Sequence, residues 1–154
     1  MKKTNILLAS AMLMLGLTMV GCGEDKATSN EQVEAPVPQK GGYNNINNAT
    51  LEQMVKEGVT LIDIRRPEEW ASTGVVEGSK KITFFLQSGA LNQSFVPEFT
   101  SLVKPGDKVA LICRTGSRTK AASQALVQQL GYKNVYNVKH GITGWIRQGR
   151  AVVK

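Results

Sequence analysis

The sequence has few of the side chains that most often carry chemistry. Its 154 residues include two cysteines and one histidine, and 6% of them are aromatic. The basic residues are scattered and lack interleaved aromatic residues, so nucleic acid is not an expected partner. No internal repeat is apparent, and the hydrophobic share of 42% is that of one ordinary globular domain. The candidates for a chemically active side chain are therefore Cys22, Cys113 and His140.

Long hydrophobic runs are also missing, apart from one near the amino terminus. Lys2 and Lys3 precede a nearly unbroken apolar run from Ile6 to Val20. This run has about 15 residues, whereas a helix needs about 20 to cross a bilayer. Residues 1–21 are therefore predicted to be a secretion signal rather than a permanent span, and the mature chain is expected to leave the cytoplasm.

Cys22 directly follows this signal. The stretch Met19-Val20-Gly21-Cys22 resembles a bacterial lipobox, with Met19 where Leu is usual. The resemblance implies cleavage before Cys22, which would carry diacylglycerol on its sulfur and an acyl group on its amine. The alternative is a plain signal peptide with an incidental Cys22. We expect a lipid-anchored protein of the bacterial cell envelope, facing the periplasm or the exterior. Gly23 rather than Asp after the cysteine favours an outer membrane in a Gram-negative source.

Residues 22–42 are predicted to be the lipidated cysteine and a flexible linker. Residues 23–42 contain two prolines, three glycines and almost no large apolar side chains. Such a composition buries too little surface to offset the entropy of ordering. Removal of Lys2 and Lys3 lowers the formal net charge from +7 to +5, an excess that favours anionic small molecules or surfaces.

Residues 43–154 are predicted to form one α/β domain. Short apolar runs rich in β-branched residues alternate with helical patterns, which is typical of a mostly parallel central sheet with helices on both faces. Asn48 is expected to cap the first helix, and Pro67 is expected in the first turn of the second. The predicted helices cover 49–56, a segment from 67, 96–103, 118–130 and 142–148, and the predicted strands cover 59–64, 81–84, 108–113 and 135–138.

Cys113 lies at the predicted carboxyl end of the central strand, where open α/β sheets bind ligands. Gly116 permits a positive φ, which would turn successive N–H groups inward as an anion-binding nest. The helix amino terminus, Arg114 and Arg118 all favour the thiolate form of the cysteine. A buried cysteine that merely ends a strand is the alternative, but it would not need this flanking chemistry. A disulfide with Cys22 is not expected, because Cys22 would be lipidated.

Three segments together resemble a single-domain rhodanese. They are Leu61–Trp70 (LIDIRRPEEW), Gly74–Ser79 (GVVEGS) and Cys113–Arg118 (CRTGSR). The similarity runs from about residue 43 to residue 154 and includes the stretch GITGW at 141–145. There are two departures: Val75 stands where the family has His, and His140 replaces the first of two paired glycines.

The resemblance implies a sulfurtransferase. The thiolate of Cys113 would attack the outer sulfur of a donor such as thiosulfate, release sulfite and keep a persulfide, which cyanide or a thiol then takes. No metal and no organic cofactor are implied. The loop N–H groups would stabilise the terminal sulfur, and the two arginines would hold the anionic donor. The expected substrate-binding residues are Arg114, Thr115, Gly116, Ser117 and Arg118.

Asp63 and Arg65 match the recurrent Asp-x-Arg of the family and are interpreted as supporting residues. Asp63 is expected to accept hydrogen bonds from N–H groups of residues 113–118, the cysteine loop. Arg65 is expected to pair with Glu68 or Glu69. His140 is interpreted as a loop residue rather than a base, because nothing in the sequence pairs it with Cys113.

Two other functions remain open at this stage. A cysteine phosphatase or arsenate reductase of the same fold also combines a thiolate with loop N–H groups and an arginine. The family's phosphatase relatives use Cys-x5-Arg, whereas four residues separate Cys113 from Arg118 and position 119 is Thr. A non-catalytic rhodanese-like binding module is the second alternative. Many such modules have lost the cysteine that this chain retains.

Overall fold

The structure is a computed structural model and describes residues 31–154. The predicted signal over residues 1–21 and the predicted lipidation site at Cys22 lie outside the described residues. Within residues 31–154, no helix combines the length and the apolar character that crossing a bilayer requires.

The described chain contains six strands and five helices, which alternate from the second strand onward. The strands are β1 (Val37–Pro38), β2 (Asn44–Ile46), β3 (Thr60–Asp63), β4 (Lys80–Lys81), β5 (Lys108–Ile112) and β6 (Asn134–Val138). The helices are α1 (Asn48–Lys56), α2 (Pro67–Thr73), α3 (Phe95–Leu102), α4 (Ser117–Leu130) and α5 (Gly141–Arg147).

The strands form one sheet in the order β1-β2-β6-β5-β3-β4. β1 pairs with β2 antiparallel, and all the other neighbouring pairs are parallel. The prediction of an α/β fold with a mostly parallel sheet is confirmed. The strand that precedes Cys113 is central, because β6 and β3 flank it on its two sides.

Side-chain alternation along β5 divides the core into two clusters. Val109, Leu111 and Cys113 lie on the face covered by α3 and α4. Ala110 and Ile112 lie on the opposite face, which α1 and α5 cover. Because side chains of a strand alternate between its faces, a strand buried on both sides reads as an unbroken apolar run, as it does here.

Two local predictions need correction. Asn47, rather than Asn48, caps α1, since its side chain accepts a hydrogen bond from the N–H of Thr50 at 2.8 Å. An N-cap side chain reaches the N–H two or three residues ahead, and Asn48 already lies inside the helix. The strand expected over 81–84 is shorter and ends at Lys81, although the N–H of Phe84 still bonds to the carbonyl of Ile64 at 3.2 Å.

Residues 31–42 pack on the domain. For these residues the structure differs from the flexible linker that the sequence predicted over 22–42. Asn47 donates to the carbonyl of Gln32 at 2.9 Å. The hydroxyl of Thr50 donates to the carbonyl of Glu34 at 2.7 Å and accepts from its N–H at 3.0 Å. β1 then pairs with the edge strand β2. Hydrogen bonds hold this segment, and composition alone does not reveal them.

We expect Thr50→Val to loosen residues 31–38. The substitution keeps the shape of a side chain that is 5% exposed and removes both hydrogen bonds to Glu34. Because the partner groups lose their bonds, the free energy of unfolding should fall by about 1–2 kcal/mol. Denaturant unfolding and amide exchange at residues 31–38 measure the effect.

Thr100→Val is the matched control. The hydroxyl of Thr100 bonds only to carbonyls of its own helix α3. This substitution should change the free energy of unfolding by less than about 0.5 kcal/mol. Unchanged amide exchange in Thr50→Val would contradict the role assigned to these bonds.

Candidate active site

Cys113 lies directly after β5, beneath the loop that leads into α4. Its side chain is only 1% exposed, although it lies at the carboxyl end of the central strand, as the sequence predicted. The N–H of Gly116 points at Sγ across 3.2 Å. An N–H donor at that position stabilises negative charge on the sulfur. The loop therefore encloses the thiol and presents a hydrogen-bond donor to it.

Gly116 makes this loop geometry possible. Its φ is +93°, which is a left-handed conformation that residues with a Cβ rarely adopt. A Cβ on this residue would also lie 2.4 Å from the carbonyl oxygen of Lys139. No residue within 31–154 accepts a hydrogen bond from the N–H of Thr115, Ser117 or Arg118. The predicted turn is present, and these donors are available to an anion.

Gly141 supports the loop from below. The N–H groups of Ile142 and Thr143 donate to the carbonyls of Cys113 and Arg114 at 2.8 and 3.1 Å. A Cβ on Gly141 would lie 2.5 Å from each of those two carbonyl oxygens. The start of α5 therefore binds the cysteine loop through hydrogen bonds and packs directly against it. The sequence showed Gly141 only as part of a motif, and its contact with the loop was not foreseen.

Thr119 is a second residue whose place the sequence did not reveal. Its side chain is fully buried, its hydroxyl donates to the carbonyl of Gly116 at 3.0 Å, and its Oγ1 lies 3.5 Å from Sγ of Cys113. A hydroxyl has one hydrogen and two acceptor lone pairs. Thr119 can therefore accept from the thiol, or rotate and donate to the sulfur once it is negatively charged.

Asp63 and Arg65 form a buried ion pair at the carboxyl end of β3. Nε of Arg65 donates to Oδ1 of Asp63 at 2.9 Å, and Nη2 donates to Oδ2 at 2.7 Å. Both side chains are at most 1% exposed. The guanidinium also donates to the hydroxyl of Thr73 at 2.7 Å and to the carbonyl of Gly74 at 2.8 Å. The pair ties the end of β3 to the end of α2.

This geometry corrects two expected contacts. Asp63 accepts bonds from Arg65 rather than from the N–H groups of the cysteine loop. The guanidinium of Arg65 pairs with Asp63 rather than with a carboxylate of Glu68 or Glu69. Both charges are out of contact with water, so each requires the other as a partner.

Arg118 is held by Glu69 at the rim of the loop. Its Nη1 and Nη2 donate to Oε2 and Oε1 of that carboxylate at 2.7 and 2.6 Å. Burial would raise the pKa of Glu69, but the hydrogen bonds from Arg118 and from the N–H of Arg66 lower it to about 2. The hydrogen bonds with Glu69 raise the pKa of Arg118, and the charge of Cys113 contributes in the same direction. The negative charge of Glu69 thus offsets the positive charge of Arg118, one of the two arginines of the loop.

The other residues that the sequence singled out lie at or near the surface. Arg114, Thr115 and Ser117 are exposed. His140 is exposed at the start of α5 and makes no hydrogen bond to Cys113. Val75, by contrast, is buried and its N–H donates to the carbonyl of Val153 at 2.8 Å. Within residues 31–154, no three histidine, cysteine, aspartate or glutamate side chains come together in a possible metal-binding group.

The comparisons with known proteins agree with this geometry. A model of the rhodanese-like domain family matches residues 47–148. A sulfurtransferase of Allochromatium vinosum is 32% identical over 112 residues, covering 71% of this chain and 94% of that protein. Thiosulfate sulfurtransferase 18 of Arabidopsis thaliana is 32% identical over 98 residues, covering 60% of this chain and 71% of that protein.

Solved structures show the same fold. The crystal structure of a rhodanese-related protein from Thermoplasma volcanium matches with a TM-score of 0.55 and 32% identity, and the match covers 71% of this chain and 96% of that one. The chain therefore belongs to the rhodanese-like domain family, and the resemblance noted in the sequence is confirmed. Its similarity to proteins named as sulfurtransferases is established at modest identity.

We expect Gly141→Ala to destabilise the loop support. A residue with a Cβ would be strained at the φ of +56°, and its Cβ would press on the carbonyls of Cys113 and Arg114. The φ strain of about 1 kcal/mol and overpacking of about 1–3 kcal/mol together should lower the free energy of unfolding by about 2–4 kcal/mol.

Gly131→Ala separates the two contributions. Gly131 has a φ of +72°, but a Cβ there would meet nothing within 4 Å. Gly131→Ala should therefore lower the free energy of unfolding only by the backbone strain of a positive φ, about 1 kcal/mol. Equal losses in the two variants, measured by denaturant unfolding, would argue against the close contact at Gly141.

Proposed function

We propose that this rhodanese-like protein is a thiosulfate-type sulfurtransferase that carries sulfane sulfur as a persulfide on Cys113. The observation that supports this most is the N–H of Gly116 aimed at Sγ, inside a loop whose next N–H groups have no acceptor within residues 31–154. Such a loop can stabilise negative charge on Sγ and on a second sulfur bonded to it. Relatives named as sulfurtransferases are consistent with the proposal.

The first half-reaction loads the enzyme. The Cys113 thiolate attacks the outer sulfur of thiosulfate and forms a new S–S bond. The S–S bond of thiosulfate breaks, and its electron pair leaves with sulfite. Positive charge, chiefly from Arg114 because Glu69 offsets the charge of Arg118, stabilises the charge that develops on the leaving group. The product is a Cys113 persulfide.

The second half-reaction unloads it. Cyanide in an assay, or a thiolate in the cell, attacks the terminal sulfur of the persulfide. The S–S bond to Cys113 breaks, thiocyanate or a new persulfide departs, and the Cys113 thiolate is restored. All electrons are accounted for by these bonds, so the proposed cycle uses neither a metal nor an organic cofactor.

The geometry supports sulfur transfer over phosphate or arsenate chemistry. A cysteine phosphatase of this fold holds the oxygens of its tetrahedral substrate with loop N–H groups and an arginine. Here the guanidinium of Arg118 is already bound at two points by Glu69. The next position is Thr119, whose hydroxyl faces the loop interior. The retained cysteine and its donor-lined loop also favour an enzyme over a binding module.

The purified protein is expected to form thiocyanate from thiosulfate and cyanide. Cys113→Ser should reduce this activity by at least about a hundredfold, because the nucleophile is lost. Mass spectrometry after incubation with thiosulfate should show one added sulfur atom on Cys113 that cyanide removes. Hydrolysis of aryl phosphates faster than sulfur transfer would favour a phosphatase instead.

We also propose that Cys22 is lipidated and anchors the protein in the bacterial cell envelope, where the domain faces the periplasm or the exterior. The support is the sequence alone: a short apolar run that ends in Gly21 directly before Cys22. Several acyl chains on one residue make a stable anchor, since each buried CH₂ contributes roughly 0.8 kcal/mol.

Cys22→Ala is expected to release the protein from membranes. In cells that process lipoproteins, the unchanged protein should stay with the membrane fraction after a high-salt wash, and the variant should not. Cys113→Ser is the matched cysteine control and should leave partitioning unchanged. Retention of Cys22→Ala in the washed membranes would contradict lipid anchoring through this residue.

A further inference from the structure

Glu69 contacts the cysteine loop without belonging to it. Both of its carboxylate oxygens accept bonds from Arg118, in a two-point pair at 2.6 and 2.7 Å. A paired planar geometry of this kind is the strongest that an arginine and a carboxylate make. The positive charge of Arg118 is therefore shared with Glu69 before any donor arrives.

The position of Glu69 is itself fixed. Its Oε2 accepts the N–H of Arg66 at 3.1 Å, and its main-chain carbonyl accepts from Arg65 at 3.3 Å. Arg65 is held in turn by the buried carboxylate of Asp63. Because the side chain and the main chain are both bonded, the carboxylate cannot swing away from Arg118 at low cost.

Arg114 is different from Arg118. It is exposed, and none of the salt bridges within residues 31–154 involves it. The loop thus presents one arginine without a carboxylate partner and one that a carboxylate offsets. The net positive charge close to Cys113 is smaller than the sequence CRTGSR suggests.

We propose that Glu69 is a specificity-determining residue that, through Arg118, limits the positive charge at the Cys113 loop and so reduces the advantage of donors with two negative charges over donors with one. Glu69 acts on the substrate through Arg118, which makes it a positioning residue. The proposal rests on the sulfurtransferase function proposed above and concerns how far the site discriminates between sulfane-sulfur donors of one and of two negative charges.

Two donors differ by that one charge. Thiosulfate is a dianion, and methanethiosulfonate has a methyl group in place of one charged oxygen. The Cys113 thiolate attacks the outer sulfur in both. The S–S bond of the donor breaks, its electron pair leaves with sulfite or with methanesulfinate, and the same persulfide remains. A change in their relative kcat/KM therefore reports the charge that the loop presents.

Glu69→Gln tests the proposal. Glutamine keeps a carbonyl oxygen that can accept the N–H of Arg66, so the start of α2 should be preserved. The ratio of kcat/KM for thiosulfate to that for methanethiosulfonate should rise about five- to tenfold, because one negative charge near the loop is removed. A ratio that stays the same or falls would overturn the proposal.

Glu68→Gln is the matched control. Glu68 is the neighbouring residue of α2, its carboxylate pairs with Arg66, and it does not contact Arg118. The same change in net charge should leave the donor ratio within about twofold of the unchanged protein, because water screens exposed charges. A rise equal to that of Glu69→Gln would show a general charge effect and overturn the assignment to Glu69.

A double substitution tests whether Arg118 mediates the effect. In an Arg118→Gln background, Glu69→Gln should change the donor ratio by less than about twofold, because coupled residues lose their effect when the partner is absent. A full five- to tenfold rise in that background would overturn the route through Arg118.

Alkylation of Cys113 provides a readout that does not depend on sulfur transfer. Iodoacetate carries one negative charge and iodoacetamide carries none, and both react with the thiolate. Glu69→Gln should raise the ratio of the iodoacetate rate to the iodoacetamide rate by about threefold or more, and Glu68→Gln should not. If neither donor loads Cys113, the sulfurtransferase proposal fails, and the alkylation ratio still decides whether Glu69 limits the charge. An unchanged alkylation ratio in Glu69→Gln would overturn that role.

Discussion

The buried ion pair between Asp63 and Arg65 is the interaction on which the site depends. Neither group contacts water, so removal of one partner would leave an uncompensated charge, which typically costs about 3–5 kcal/mol. The pair also connects two elements of the fold. By donating to Thr73 and Gly74, Arg65 binds the end of α2 to the end of β3. That connection positions Glu69, and Glu69 positions Arg118.

The cysteine loop is held from a second direction by the start of α5. Ile142 and Thr143 donate to the loop carbonyls, and Gly141 leaves the space in which those carbonyls lie. With its carbonyls bound by the start of α5, the loop turns the N–H of Gly116 toward the sulfur. Donors fixed in advance stabilise developing charge without the cost of reorganising them during the reaction. The site is therefore a product of two supports that lie far apart in the sequence.

Much of the fold was predictable because the relevant signals are local. The unbroken apolar run of β5 and the glycine that ends α4 gave bounds within one residue of those observed. Contacts between distant segments were not predictable in this way. The bonds that hold residues 31–42 are polar and involve main-chain groups, so a composition rich in proline and glycine indicated a flexible linker. The prediction that Arg65 pairs with Glu68 or Glu69 was also wrong, because several carboxylates lie close to it in the sequence and the observed partner is Asp63.

The sequence by itself determined the class of fold and the place of Cys113 in it. A central strand, Cys113, Gly116 and a helix follow one another, and this order alone puts a thiol at the carboxyl edge of a parallel sheet. Only the tertiary structure decided that Glu69 offsets Arg118, that Gly141 supports the loop and that Thr119 lies beside the sulfur. The reason is physical: strand and helix signals depend on neighbours along the chain, whereas charge compensation and close packing depend on which distant segments the fold brings together.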